Sequence, residues 1–406
     1  MTKIKTLKNR VDLKLLFIKA TLNFILCLSV CSCQLGKSPG AIEFEQRYIE
    51  QMYMLGCQYV DRIEETDNYK SAIAYLIQAA KRSHPLAQYK LGDLYLYLEK
   101  QAIIDDGSVQ AFGWFKRAAE QGVASAQYKL GIMYKKAQGT LADEKEAFLW
   151  VKQAVDQGHV EAQYSLGVMY YYQNQNVKKN IRNAITYFEK AELQGHATAP
   201  YVLGLIYQQG KGVIPNIGKA IAYFEQAAAK GCVEAQLKLG AMYYEGKEVK
   251  RNRRYAIGYL KQAAEEGCVK AQSFLGQIYY LDVELYDYNK AIQYFTWAAQ
   301  QEDIESSFYL GEMYQYGLGI KANQATAIKY YTEAAKKGEV NAQYSLGMLY
   351  LNRERVRGEI KSGSKGLKNL ERAYKWLIVA ADQGHKDAWK ASFELRLYFL
   401  REKIEF

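Results

Sequence analysis

A Leu-Gly pair followed three residues after its glycine by a tyrosine recurs nine times in this chain of 406 residues. The glycines are Gly56, Gly92, Gly131, Gly167, Gly204, Gly240, Gly276, Gly311 and Gly347. Their spacings are 36, 39, 36, 37, 36, 36, 35 and 36 residues. So steady a period means one supersecondary unit copied along the chain, and it fixes the architecture before composition is considered. Arrays of this kind bind other macromolecules more often than they catalyse.

A second run, Ala-x-x-Tyr/Trp-x-x-x-Ala, follows each pair, from Ala72/Tyr75/Ala79 to Ala373/Trp376/Ala380. Spacings of 3, 4 and 7 place such residues on one face of an α-helix. Most second runs close on glycine (Gly122, Gly158, Gly195, Gly231, Gly267, Gly338, Gly384), the residue favoured at a left-handed helix end. Ser83 and Glu302 stand in its place twice. Each unit therefore reads as helix A, a turn, helix B and a stop, and no segment alternates as a strand would. The alanines and glycines let two backbones approach, with the Tyr and Trp rings expected to fill the gaps. A lone pair cannot bury its apolar faces, so the units must stack.

The full motif is Ala-Gln-x-x-Leu-Gly-x-x-Tyr, then Gly-x-Gly-Val, then Ala-x-x-Tyr/Trp-x-x-x-Ala-Ala-x-x-Gly, clearest over 199–231 and 232–267. It resembles the Sel-1-like repeat family, relatives of the tetratricopeptide repeats, over about 44–393. The resemblance implies an all-α, α/α superhelical solenoid of about nine helix-turn-helix repeats with a C-terminal capping helix. The boundaries expected are a leader at 1–32, a degenerate N-terminal capping repeat at 33–83, and the array at 84–384. The capping helix follows at 385–406, where charged residues suggest a polar outer face. An insertion near 352–368, rich in Arg, Lys, Gly and Ser, reads as a lengthened turn between helices A and B.

Lys3, Lys5, Lys8, Arg10, Lys14 and Lys19 precede a short apolar stretch, residues 20–30. That stretch is too short for an ordinary membrane span but fits the core of a secretory signal. Val30-Cys31-Ser32-Cys33 resembles a bacterial lipobox with Cys33 as the lipidated residue, and Cys31 is the competing register. The alternative is an amphipathic helix that stays attached. The expected location is exported: a periplasmic or outer-membrane lipoprotein, or a secreted protein, with membrane contact through the lipid.

The formal net charge is +11, of which residues 1–32 supply six Lys/Arg against one Asp, so a processed chain carries about +6. Two basic runs remain, Lys247–Arg254 and the insertion. They read as solvated faces, or as contacts for anionic lipid or an acidic partner. Nucleic-acid binding would interleave aromatics with a basic stripe; here the aromatics fall at repeat-core positions, so no nucleic-acid partner is expected.

Outside the leader only Cys57, Cys232 and Cys268 remain of six cysteines, without a paired framework. The cysteine-rich branch of the family carries two per repeat, so its penicillin-binding or β-lactamase-like activity does not transfer. His159, His196, Cys232 and Cys268 suggest a metal site, but all occupy one slot, directly after the helix-B stop, shared by His84 and His385. Successive slots lie two helix layers apart, about 8–10 Å each, whereas zinc donors sit about 2.0–2.3 Å from the metal. Gly210-Lys211-Gly212 and Gly317-Leu318-Gly319 follow a helix, where a phosphate loop would follow a strand, and read as turns. No catalytic motif, cofactor site, metal site or small-molecule substrate site is indicated.

What differs between copies carries the functional signal. Positions two before and one after the glycine share a helix-A face: Lys90, Lys129, Lys238, Phe274 and Tyr309 at the first, Asp93, Gln277 and Glu312 at the second. In related solenoids helix A lines the concave surface, so these are the candidate partner-binding residues. The function expected is a non-catalytic adaptor for a protein partner. The alternatives are a cell-wall or β-lactam hydrolase-like activity, as in some secreted relatives, or a secreted host-interacting effector.

Overall fold

A computed structural model describes residues 39–64, 68–172, 180–355 and 365–401. Cys31, Cys33 and the rest of the leader lie outside these, as do residues 356–364 of the insertion and 402–406. The described residues form helices joined by turns, with no strand among them. They divide into two compact units within one helix, after Tyr187.

The first unit runs through α1 (Pro39–Val60), α2 (Asn68–Ala80), α3 (Pro85–Lys100), α4 (Gly107–Glu120), α5 (Ala124–Lys136), α6 (Glu144–Asp156), α7 (Val160–Tyr171) and the start of α8 (Ile181–Leu193). The second holds the rest of α8, then α9 (Ala199–Gln209), α10 (Ile217–Ala229), α11 (Val233–Glu245), α12 (Arg253–Glu265) and α13 (Val269–Leu281). It continues with α14 (Tyr288–Gln300), α15 (Ile304–Tyr316), α16 (Gln324–Lys336), α17 (Val340–Arg355), α18 (Lys365–Asp382) and α19 (Lys386–Arg401). Odd-numbered helices are helix A of a repeat and even-numbered ones helix B. From α1 to α7, and again from α9 to α19, each helix packs on the next, giving the all-α, helix-pair solenoid fold that the period implies. Among the described residues no helix is long and apolar enough to cross a membrane.

Helix ends follow local chemistry. Helix B opens on an Asp or Asn whose side chain accepts a backbone N–H of its first turn: Asp143, Asn216, Asn252, Asp287 and Asn323. The backbone N–H of the same residue donates to the carbonyl of the motif tyrosine, as from Asn252 to Tyr243 at 2.8 Å, closing the A–B turn. Helix B ends on a residue with positive φ, 80° at Gly231 and 95° at Gly338, and Ser83 (63°) and Glu302 (68°) adopt the same conformation without glycine's freedom.

The Leu-Gly glycine is the point of closest approach. A Cβ at Gly92 would stand 2.7 Å from the Phe115 ring, at Gly240 2.6 Å from Leu260, and at Gly276 2.5 Å from the Phe295 ring. The side chain over the glycine is the residue just after the Tyr or Trp of the second run, and it is fully buried. The motif tyrosines instead stack on the helix-B tyrosines of their own repeats. Tyr207–Tyr223 centroids lie 5.7 Å apart and Tyr314–Tyr330 also 5.7 Å, with most of these rings half-buried. The gap-filling expected of the tyrosines therefore belongs to their neighbours.

Repeats are also tied by glutamines. The Gln of the Ala-Gln motif is buried and donates to a helix-B carbonyl of the preceding repeat: Gln88 to Ala80 at 3.0 Å, Gln272 to Ala264 at 3.0 Å, Gln343 to Ala335 at 3.1 Å. Its own carbonyl accepts from a glutamine ending helix B of its repeat: Gln121 to Gln88 at 2.7 Å, Gln301 to Gln272 at 2.9 Å, Gln383 to Gln343 at 2.8 Å. In one repeat that second residue is Glu266. A carboxylate cannot donate, and Gln236 Oε1 is the one buried side-chain oxygen or nitrogen without a partner among the described residues. Glu266→Gln supplies the missing donor, and the expected gain is about 1 kcal/mol, read as a higher urea midpoint for the second unit. An unchanged midpoint would show that water already satisfies Gln236.

Two expectations need correction. The insertion is not all turn: α17 extends to Arg355 and α18 starts at Lys365, so its ends prolong both helices beyond the 13 residues of α16. The outer face of α19 is not polar. Trp389, Phe393, Leu397 and Leu400 are 60, 49, 50 and 68% exposed, while Leu395 and Phe399 point inward. The charged residues sit on the flanks, because helical spacing and not residue count decides which side faces out.

Candidate interaction face

The helix-A positions that vary between copies lie on successive A helices; two of them pair in the first unit, and in the second they meet rings of the neighbouring helices. In the first unit Lys129 of α5 pairs with Asp93 of α3 at 3.3 Å, and Lys90 is exposed. Such a half-exposed ion pair contributes at most about 1 kcal/mol. In the second unit Phe274 meets Tyr244 edge-on with centroids 5.4 Å apart. Tyr309 stacks on Phe295 at 4.9 Å and leans on Tyr280 at 5.3 Å. Tyr280 donates its hydroxyl to Glu312 at 3.2 Å. Gln277, a hydrogen-bond partner of Glu305, and Lys238 are half-exposed.

Packing thus constrains this face more than the sequence variation suggested: Phe274 and Tyr309 have one side in the core cluster around Phe295 and the other toward solvent. Burial pushes the Glu312 carboxyl up and outweighs the hydroxyl of Tyr280, with Glu339 adding to the rise. Burial also raises Glu305, assisted by Asp303 and Glu339. None of these three carboxylates, Glu305, Glu312 and Glu339, has a lysine or arginine partner within ion-pair distance among the described residues. The second unit therefore presents rings and uncompensated carboxylates where the first presents Lys and Asp.

The slot after the helix-B stop turns out to be a helix cap. His84 and His385 accept at Nδ1 from the backbone N–H of Ala87 and Ala388, at 3.0 and 3.1 Å. His159 accepts from Ala162 at 3.4 Å and His196 from Ala199 at 3.1 Å. Asp303 caps in the same way, through Ser306 at 2.8 Å. Sequence reasoning placed the slot but missed this role; the His/Asp alternation within it was the available signal. Among the described residues no three His, Cys, Asp or Glu side chains are grouped to hold a metal ion.

A capping Nδ1 must be unprotonated. Burial pushes the His159 imidazole down and outweighs Glu161, whose carboxylate lies 3.3 Å from Nδ1. The unfolded chain then binds more protons just below the ordinary histidine value, so the contribution is present above that value and lost as pH falls. The first unit is expected to lose stability between about pH 7 and pH 5. In His159→Asn, whose amide caps without titrating, the loss should shrink; equal pH slopes in both proteins would refute the capping account.

Three of the five cations in the basic run after α11 meet carboxylates. Arg253 donates to Asp282 at 3.2 Å and pairs with Glu284 at 2.8 Å, Arg251 lies 3.5 Å from Asp282, and Lys247 pairs with Glu245 at 3.0 Å. Burial pushes the Cys57 and Cys232 thiols up, opposite to the activation a nucleophile needs.

The geometry defines an all-α repeat protein built on consecutive helix pairs. The Sel1 repeat model matches residues 52–84, 85–123, 124–159, 160–196, 198–232, 233–268, 269–303, 304–339 and 340–385. The chain belongs to the Sel1 repeat family. It is similar to c5321, described as a protective antigen present in uropathogenic Escherichia coli strains and displaying an SLR fold. The two are 28% identical with a TM-score of 0.65, over 91% of this chain and 76% of that one. A Sel1 repeat protein from Oxalobacter formigenes is similar at 27% identity and a TM-score of 0.60, over 77% of this chain and 92% of that one. No curated protein matches the sequence. Sel1 repeat proteins generally mediate protein–protein interaction.

Proposed function

We infer that this chain is a non-catalytic scaffold that holds a protein partner on the helix-A face of its second unit. The observation that carries this is the set Tyr280, Tyr309 and Glu312, linked across two successive A helices, with Phe274 set against Tyr244 of the A helix before; all are half-buried and open on one side. Rigid aromatic side chains anchored from behind give contact area at little entropic cost, the pattern of interface hot spots. Lys90, Asp93 and Lys129 extend the reading to the first unit, and Lys238 and Gln277 to the edges of the second. A photo-crosslinking residue at position 309 or 277 should trap a partner in cells, whereas one at Lys261 on helix B should not. Equal trapping at both sites would sink the assignment of the face.

The chain is further proposed to be exported and anchored through a lipid on Cys33. The support is the basic leader, its apolar core and the Ser32-Cys33 pair. Mass spectrometry of the native N-terminus tests it: diacylglycerol on Cys33 is expected, and an intact Met1 refutes it. Nitrocefin turnover above a buffer blank would replace the scaffold reading with the hydrolase alternative.

A further inference from the structure

The outer face of α19 is apolar and exposed. Trp389, Phe393, Leu397 and Leu400 recur at helical spacing as one exposed stripe, with the Trp389 and Phe393 rings stacked at 5.6 Å. Contiguous exposed apolar surface of this kind marks an interaction site. Counted from its capping residue His385, α19 is a further helix A, and Phe393 stands where the preceding repeats have their Leu-Gly glycine. At Gly347 even a Cβ would come within 2.7 Å of Leu377 on helix B. A phenylalanine at that place occupies the seat of a helix B, so a further repeat of this array does not cover the stripe.

The charges around the stripe decide what does. At about 100° per residue, Lys386, Lys390 and Arg401 lie roughly 20°, 60° and 80° to one side of Phe393, and Arg396 about 60° to the other. Glu394 and Asp387 lie farther round, at about 100° and 120°. Lys386, Lys390, Arg396 and Arg401 are all exposed, and the Lys390–Asp387 pair is loose at 3.6 Å. An apolar stripe carrying Trp, Phe and Leu, bordered by cations on both long edges with acids set back, matches a helix lying in a lipid interface. Its rings enter the acyl boundary while the Lys and Arg stems reach the headgroups. The opposite side of α19 stays packed through Ala388, Leu395 and Phe399, so the helix docks without leaving the fold.

We propose that the outer face of α19 binds an anionic lipid surface. This is independent of the partner face on the A helices and of any lipid on Cys33. The test uses full-length protein with vesicles of phosphatidylcholine alone or with roughly 30% phosphatidylglycerol, the acyl chains brominated in a parallel set to quench any inserted tryptophan. Binding to the anionic vesicles is expected, with tryptophan quenching that disappears in W389F. The double variant K390Q/R396Q should bind about thirtyfold more weakly. Both variants alter exposed side chains and should keep the wild-type helical circular dichroism. Quenching that persists in W389F overturns the proposal, since contact would then lie elsewhere, for instance at the basic leader. So does wild-type affinity in K390Q/R396Q, or a dimer in sedimentation that W389S/F393S abolishes while vesicle binding is absent.

Discussion

Replacing Asp282 with alanine is expected to destabilise the second unit by about 3 kcal/mol. Its side chain is only 5% exposed and joins two repeats. It accepts from Tyr244 Oη at 3.2 Å, from Arg253 Nε at 3.2 Å, and from the backbone N–H of Glu284 at 3.1 Å. Burial alone would push the carboxyl up; the Glu284 amide, Arg253 and Tyr244 outweigh it and hold it below the usual carboxylate range. The depressed value fixes the sign of the pH dependence. The contribution is present above the ordinary carboxyl value and is lost as pH falls through the folded one. Alanine leaves the amide and the Tyr244 hydroxyl without their acceptor, while Arg251 and Arg253 can still hydrate. Asparagine keeps the shape but turns an amide toward the arginines, so it should recover little. Urea unfolding at pH 7 followed by hydrogen exchange checks this, with protection lost first in α12 and α13. A shift under about 0.5 kcal/mol would mean the network contributes no more than a surface pair.

Gly276→Ala is the second large effect, and its sign opposes helix propensity. In an exposed helix interior the same change stabilises by about 1 kcal/mol. Here the new Cβ would sit 2.5 Å from the fully buried Phe295 ring, so α13 and α14 must separate or the ring must leave its rotamer. Overpacking of this kind costs about 1–3 kcal/mol, and the loss spreads to neighbours because each repeat is stable only against the next. Gly258 in α12 is the control: it is exposed and a Cβ there meets nothing within 4 Å. Gly258→Ala should therefore raise the urea midpoint and Gly276→Ala should lower it. If both glycine variants move the midpoint in one direction, the close-approach account fails.

The repeat was legible because its constraints are local and copied. A glycine under a neighbouring side chain, an Asp or Asn opening helix B and a positive-φ residue closing it each have few acceptable residues, so they recur at fixed spacing. The helix-B stops at Gly231 and Gly338 are legible this way, whereas Ser83 and Glu302 stand out in the sequence only as departures from glycine and prove left-handed in the structure. The glutamine ties were visible as Ala-Gln but carried no meaning, because each joins residues about thirty positions apart and only folding brings Gln301 to Gln272. Asp282 escaped for the same reason: nothing near it in sequence shows that Tyr244 and Arg253 converge on it.

By itself the sequence determined the period, the helix pairs, their glycine stops and the family, since these depend on residues within one turn or one repeat of each other. Only the tertiary structure decided which side chain covers each glycine, that Arg251 and Arg253 converge on Asp282, and that Tyr280 of one A helix meets Tyr309 and Glu312 of the next. It also reversed the expected polarity of α19. Those outcomes depend on which side of a helix meets its neighbour and which meets water, and that is settled by packing between repeats.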